Sequence, residues 1–291
     1  MLAQLFAIIA PVLICSAIGF VWGRMGKPFE TDFVTRLVTT VGTPCLILSA
    51  LTDLHLTLDQ LGEIAGAALL ATLGFAIVGL AVLRAMKLPI ASFLPALMFP
   101  NTGNMGLPLS LFAFGETGLA FAIIIFALTA ALQFTLGVAL ASGSFSLKRL
   151  ASMPLIYALL ASLVVIATGW QVPDWIGNTV ELLAGLTIPM MLLALGVSLA
   201  RLRVTSIPRA ALLSLVRLVG GIAIGIGVAY ALGLTGAARG VLIIQAAMPV
   251  AVYNYLFAQF FGRDPEQVAG MVILSTIASF LTLPLLLWFV L

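Results

Sequence analysis

The sequence predicts an all-α membrane protein of ten transmembrane helices, arranged as two inverted repeats of five helices each. Three observations predict this fold class. Of the 291 residues, 63% are hydrophobic and 8% are charged, and the mean hydropathy is +1.25, which excludes a soluble domain of ordinary composition. The apolar residues fall into ten segments. Two of these segments contain matching helix breaks about half a chain apart, a pattern that indicates a binding site in transporters.

Charged residues and turn sequences divide the apolar chain into ten predicted spans. Most of them reach the roughly 17–25 residues that a helix needs to cross a bilayer. The spans, numbered 1 to 10, cover residues 2–23, 32–52, 60–84, 90–114, 117–141, 153–170, 176–200, 208–233, 237–261 and 266–289. Because little sequence lies between them, we expect no separate soluble domain.

The basic residues predict the orientation of the spans. Eleven of them fall in or beside odd-numbered connections, whereas only Arg239 falls in an even-numbered one. The eleven are Arg24, Lys27, Arg36, Arg84, Lys87, Lys148, Arg149, Arg201, Arg203, Arg209 and Arg263. Since basic residues concentrate in cytoplasmic connections, both termini are expected on the non-cytoplasmic side of a bacterial inner membrane. The net charge of +3 therefore reflects topology, and no basic patch predicts a nucleic-acid partner.

The chain divides into two halves of five spans each. Residues 1–141 form the first predicted repeat, residues 142–152 a cytoplasmic linker, and residues 153–291 the second repeat. Because five is an odd number of crossings, the second repeat must be inverted relative to the first.

Prolines recur at corresponding places in the two halves. Pro44 and Pro189 lie 145 residues apart in spans 2 and 7, and Pro100 and Pro249 lie 149 residues apart in spans 4 and 9. A proline in mid-span interrupts the helical hydrogen bonding. Spans 4 and 9 are therefore predicted to be broken helices that cross near the middle of the membrane.

Span 4 contains the more polar break, which begins at Pro100. Proline is tolerated in the first turn of a helix, so Pro108 predicts that the helix restarts near Leu107. The amides ahead of this restart would be unpaired, and free N–H groups together with the helix dipole favour an anion. The residues of the break add polar side chains and close access to the backbone: Asn101, Thr102, Gly103 and Asn104.

Span 9 breaks at Pro249 and continues with Tyr253 and Asn254. If the two unwound regions cross, Asn104 and Asn254 would meet and form an uncharged amide site that suits one or two carboxylates of a small organic acid. Tyr253 would either favour a substrate with a ring or pack against neighbouring helices. The alternative is that the polar residues cap two kinked helices without a ligand. The cost of unused polar groups in hydrocarbon disfavours that alternative.

Arg217 is the only basic residue well within a span. It is a candidate charge partner for an anionic substrate or a gate. The alternative is that it pairs with backbone carbonyls or extends toward the interface. His55 is the only histidine, so metal clusters and catalytic pairs built on histidine are excluded, and we expect no metal and no cofactor.

Three classes of function compete for this sequence. A secondary transporter for an organic anion is favoured by the paired breaks. A passive anion channel would need a continuous polar lining, whereas the polar residues here cluster at mid-span. An intramembrane enzyme is disfavoured because no nucleophile and base can be assembled from the sequence.

Two segments resemble a known family. The sequence PNTGNMGLPL (100–109) is similar to the fourth-helix motif of the auxin efflux carrier family, which includes bacterial organic-acid permeases and plant auxin carriers. Residues 248–284, from MPVAVYNY to STIASFLTLP, resemble the last two helices of that family. The resemblance implies the bile acid symporter or NhaA-like fold. In that fold helices 1, 2, 6 and 7 form a scaffold, and helices 3–5 with 8–10 form a mobile core.

The resemblance also implies roles for individual residues. Asn104 and Asn254 fall on or near the substrate-binding asparagines of the family, and Pro100 and Pro249 fall on its crossover prolines. Helix 2, from Pro44 to Ser49, would line the cavity. Transport by elevator-type alternating access and a homodimer are further expectations.

The resemblance leaves the driving force open among proton symport, sodium symport and uniport. Sodium-coupled bile acid carriers use an acidic residue near the helix 9 break, and this chain has none between Arg239 and Asp264. A sodium site is therefore not favoured, and proton coupling or uniport is expected. The substrate is a mono- or dicarboxylate or an auxin-like acid, with the lipid bilayer as the surroundings.

Overall fold

The computed structural model describes residues 2–52, 57–145, 148, 151–202, 204 and 207–291. These residues are helical almost throughout, and they contain no β-strand. The helices are α1 (Leu2–Arg24), α2 (Thr31–Thr52), α3 (Leu58–Ala85), α4 (Ile90–Met98), α5 (Thr102–Ser142), α6 (Pro154–Thr168), α7 (Asp174–Arg201), α8 (Ile207–Ala231), α9 (Gly236–Ala246), α10 (Val252–Phe261) and α11 (Pro265–Val290). The all-α prediction is confirmed. His55 and part of the predicted linker lie outside the described residues.

Seven of the described helices are long and apolar enough to cross a membrane. They are α1, α2, α3, α5, α7, α8 and α11. Helices α6 and α9 are shorter but also apolar, and α4 and α10 contain nine and ten residues. The composition and these helices together identify an integral membrane protein.

Helix α5 bends sharply at Gly115, where the predicted spans 4 and 5 meet. The backbone there adopts φ 64° and ψ −156°, a region that glycine reaches without the penalty that a Cβ would bring. The first part of α5 therefore continues span 4 beyond its break, and the second part forms span 5. Helix α5 opens with a π-helical turn from Thr102 to Gly106, and its α-helical part begins at Leu107 with Pro108 in the first turn, so the predicted restart near Leu107 is confirmed.

Helices α1 and α7 pack against each other at unusually short range. A Cβ added to Gly196 of α7 would overlap the carbonyl oxygen of Ser16 in α1, and one added to Gly19 of α1 would overlap the carbonyl oxygen of Leu193. Small residues let membrane helices approach in this way. Helix α2 packs on α7 and on α6, so these four helices form one contact group.

The other helices contact one another around the two breaks. Helix α3 packs on α4, α5 and α8; helix α11 packs on α8 and α10; and α9 packs on α5 and α8. This second contact group buries the interrupted helices α4 and α9, whose residues from Ser92 to Met98 and from Gly240 to Ala246 are all buried. Non-helical backbone is tolerated at such a depth only when protein or a cavity surrounds it.

The close contact of α1 with α7 predicts opposite effects for one substitution at two sites of α7. Gly196→Ala should destabilise the protein by about 1–3 kcal/mol, because the added methyl group overpacks the interface. Gly185→Ala should be neutral or stabilising by up to about 1 kcal/mol, because alanine favours helix and nothing lies within 4 Å of its added Cβ. Thermal unfolding in detergent, followed by tryptophan fluorescence, measures both. Equal effects of the two substitutions would contradict this packing.

Candidate functional site

The breaks between α4 and α5 and between α9 and α10 lie side by side in antiparallel orientation. Pro100 and Val250 form an antiparallel β-bridge. The Asn101 amide donates to the Pro249 carbonyl at 2.7 Å, and the Ala251 amide donates to the Phe99 carbonyl at 3.4 Å. The two breaks therefore satisfy part of each other's backbone hydrogen bonding, in an exchange that is nearly symmetric.

A cavity of about 340 Å³ ends at these paired breaks. Its floor is formed by residues of the first break, from Pro100 to Asn104, and of the second, from Ala251 to Tyr253. Its walls come from α2, α7, α10 and the second part of α5. The structure thus brings Pro100, Asn101, Thr102, Gly103, Asn104 and Tyr253, all predicted site residues, to one cavity.

Two helix starts contribute residues to this cavity. The first amides of a helix have no acceptor within that helix. Thr102 and Asn104 donate instead to the Pro100 carbonyl and to Oδ1 of Asn101, so these two predicted free amides are paired. For the amides of Gly103, Val252 and Tyr253, no acceptor occurs among the described residues. All three belong to residues of the cavity floor.

Side-chain amides add further donors. Oδ1 of Asn101 accepts from the Asn104 amide at 3.2 Å, and Nδ2 of Asn101 is buried without a partner among the described atoms. The side chain of Asn104 is half-buried at the cavity. An arrangement of N–H donors at two helix starts, with no carboxylate on the floor, suits an anion.

One wall of the cavity consists of a stripe of threonines on α2. Thr31, Thr35, Thr39 and Thr43 follow one another at intervals of four residues and all line the cavity, because side chains four apart share a helix face. Nη1 of Arg201, at the end of α7, donates to Oγ1 of Thr31 at 2.8 Å. Sequence reasoning missed this stripe, although its spacing could have revealed it.

The opposite walls are apolar and aromatic. Met190 and Met191 of α7 and Phe126 of α5 lie beside the floor, and Tyr253 and Tyr255 line the cavity from α10. The ring of Tyr253 also meets Phe134 edge to face, with centroids 5.1 Å apart. Tyr253 therefore lines the cavity and also packs against a neighbouring ring, and its preference for a substrate with a ring stays a prediction.

Asn254 holds the two breaks together from outside the cavity lining. Its side chain is 3% exposed. Its Nδ2 donates to the Phe99 carbonyl at 2.9 Å, and its Oδ1 accepts from Nε2 of Gln133 at 3.0 Å. Among the described residues no hydrogen bond joins Asn104 to Asn254, whose side-chain amide binds Gln133 and Phe99 instead. Gln133, which does line the cavity, was missed although it is a polar residue in mid-span.

The remaining predicted residues lie away from the cavity lining. Pro249 supplies a carbonyl to the bridge between the breaks. Pro44 and Ser49 follow the lining stripe of α2, which ends at Thr43. Arg217 donates to backbone carbonyls, which is the alternative that its sequence position left open, and it does not reach the cavity as a charge partner.

Comparison with known proteins connects the site with transport. Residues 138–287 match the model of a family described as "Membrane transport protein". The chain is 31% identical to an uncharacterized transporter of Methanothermobacter thermautotrophicus over 192 residues. This matched region covers 64% of this chain and 63% of the relative. It is 26% identical to an uncharacterized transporter of Methanocaldococcus jannaschii over 212 residues. This matched region covers 67% of this chain and 66% of the relative.

A plant protein is similar over a shorter region. The chain is 28% identical to auxin efflux carrier component 1 of Arabidopsis thaliana over 127 residues. This matched region covers 43% of this chain and 20% of the carrier. The chain thus matches less than two thirds of the length of each of these three relatives.

The different environments of two asparagines predict different effects on stability. Asn254→Ala should lower the free energy of unfolding by about 2–4 kcal/mol, because it leaves two buried hydrogen-bonding groups unpaired. Asn104→Ala should change it by less than about 0.5 kcal/mol, because its side chain has no hydrogen-bond partner among the described residues. Thermal unfolding of both purified variants measures this. A loss of stability that is larger for Asn104→Ala would show that the two roles are assigned the wrong way round.

Proposed function

This chain belongs to the membrane transport protein family that includes the auxin efflux carriers, and from that premise we propose that it is a secondary transporter for a small organic anion. Membership places it among transport proteins and not among enzymes. The observation that carries the proposed substrate class is the pairing of two helix breaks on the floor of the cavity.

The donors of the floor match a carboxylate group. The amides of Gly103, Val252 and Tyr253 would bind its oxygens, and the side chain of Asn104 would add a fourth donor. Hydrogen bonds to a charged acceptor are stronger than neutral ones. A volume of about 340 Å³ lies at the small end of the range of about 300–1,000 Å³ for ligand sites, which suits a mono- or dicarboxylate or an auxin-like acid.

The paired breaks also support the ten-span inverted repeat. In this architecture α4 with the first part of α5 forms span 4, and α9 with α10 forms span 9. The exchange of hydrogen bonds between Phe99, Asn101, Pro249 and Ala251 is what a two-fold axis between the breaks would produce. The repeats are then residues 1–141 and 153–291, joined by the linker 142–152.

Alternating access would follow from the two contact groups of helices. Helices α1, α2, α6 and α7 would be the scaffold, and the group around the breaks would be the mobile core. A bound anion would lie between them, because the cavity has walls from α2 and α7 and a floor from the core. An elevator-type movement of the core would then carry the anion. A passive channel is disfavoured because Met105, Leu107 and Leu109, which lie at and after the first break, are fully buried.

The orientation of the cavity follows from the basic connections. Its outer wall includes Thr31 and Arg201, which lie near connections that the sequence predicts to be cytoplasmic. The structure would then be open to the cytoplasm, in a bacterial inner membrane, with both termini on the other side.

Light scattering of the purified protein tests whether it forms the expected homodimer.

Coupling to protons or uniport is favoured over sodium coupling. Asp32 is the one carboxylate among the described residues that line the cavity, and it is the candidate carrier of a proton. Uptake assays therefore use sodium-free buffer, with and without a proton gradient.

The proposed role of the first break in anion binding predicts how uptake changes when the side-chain amide of Asn101 is replaced by a carboxylate. Asn101→Asp keeps an oxygen for the Asn104 amide but replaces the unpartnered Nδ2 with a negative oxygen beside the site. Uptake of a labelled carboxylate into proteoliposomes should fall at least about ten-fold, because two like charges would share a site of low dielectric constant.

The matched control places the same charge change elsewhere. Asn178 is exposed in the second turn of α7, so Asn178→Asp should leave uptake within about two-fold of wild type, since surface charges contribute little. If the Asn101→Asp protein folds and transports carboxylates at the wild-type rate, the anion does not bind at this break.

A further inference from the structure

Arg217 of α8 is a buried cation held by backbone carbonyls. Its side chain is 2% exposed. Its guanidinium donates to the carbonyls of Leu97 at 2.9 Å and Met248 at 3.3 Å, and also to that of Ala246. It lies over the ring of Phe75 at 4.1 Å from the centroid. Among the described residues no carboxylate pairs with it, so the carbonyls and the ring are its only counterparts there.

These three carbonyls belong to the ends of the two interrupted helices. Helix α4 ends at Met98 and helix α9 at Ala246, so Leu97 and Ala246 lie in their last turns and Met248 lies in the break itself. The last carbonyls of a helix have no intrahelical partner and carry the negative end of its dipole. In transporters with broken helices, such carbonyl ends commonly coordinate a coupling cation.

We propose that Arg217 is a resident cation that occupies the carbonyl ends of both broken helices and thereby removes the need for a sodium ion when the anion binds. The proposal rests on the anion site described above. A guanidinium has five donors in a fixed plane, so one side chain can serve both helix ends at once, as a spherical ion bound by several oxygens would.

The resident cation binds the carbonyl ends at the breaks and is not among the residues that line the cavity. Met248, one of its acceptors, precedes Pro249, whose carbonyl binds the Asn101 amide at the cavity floor. The floor therefore presents amide ends to the anion, and the carbonyl ends point to Arg217. Without this charge, the negative ends would lie uncompensated beside the site and would weaken anion binding.

The first measurement tests whether a free cation can replace the side chain. Arg217→Ala should unfold at a lower temperature than wild type, and low millimolar guanidinium chloride should restore part of that loss relative to sodium chloride at equal ionic strength. Arg263→Ala is the matched control, because Nε of the exposed Arg263 donates to a single helix-end carbonyl, that of Ala141. Guanidinium should not stabilise that variant. An Arg217→Ala protein that guanidinium does not stabilise overturns the proposal.

The second measurement compares carboxylate affinity in sodium, potassium and choline buffers. Wild type should bind with the same affinity in all three, within about two-fold, and Arg217→Ala should bind about ten-fold more weakly, because a buried positive charge at the carbonyl ends is lost. Arg217→Lys, which keeps the charge, should retain most of the affinity. A wild-type protein that requires sodium overturns the proposal without any variant, as does an Arg217→Ala protein with unchanged affinity.

The two measurements separate this inference from the proposed function. Thermal unfolding with guanidinium requires no substrate, so it tests the resident cation directly. A wild type that binds no carboxylate in any of the three buffers refutes the anion site, whereas one that binds carboxylate only with sodium refutes the resident cation alone.

Discussion

The pairing of two interrupted helices with each other is the interaction on which the rest of the structure depends. A helix that stops inside an apolar environment leaves peptide groups that lipid cannot satisfy. Here Asn101 binds Pro249 and Ala251 binds Phe99 across the two breaks, and Asn254 adds a side-chain bond to Phe99. Because each break supplies partners for the other, neither would be stable alone.

The pairing also separates two kinds of helix end. Amides at the starts of α5 and α10 face the cavity, and carbonyls at the ends of α4 and α9 face Arg217. Helix ends of opposite partial charge thereby lie within one small region. On the proposed function, this polarity would let a chain with few charges in its helices bind an anion, because the main chain would supply the partial charges.

The sequence was sufficient for features that depend on position along the chain. Helix extents followed from the apolar segments, and the breaks followed from Pro100 and Pro249. Features that depend on how a helix is rotated could not be predicted. The orientation of Asn254 toward Gln133 and Phe99, and the choice of three particular carbonyls by Arg217, are decided by packing. The π-helical turn from Thr102 to Gly106, which the side chain of Asn101 caps, also escaped prediction, although the α-helix after it begins at Leu107 as expected.

A distance measurement between a bound ligand and the backbone shows whether the helix starts at the two breaks bind the anion. The chain contains four tyrosines, so protein labelled with ¹⁵N-tyrosine gives few amide signals in solid-state NMR. With a bound ¹³C-carboxylate ligand, we expect dipolar dephasing of one tyrosine amide, that of Tyr253. That dephasing should be lost in Tyr253→Phe, which keeps the backbone but removes the label. A saturating ligand that dephases no tyrosine amide, or whose effect persists in Tyr253→Phe, would contradict the claim that these helix ends hold the anion.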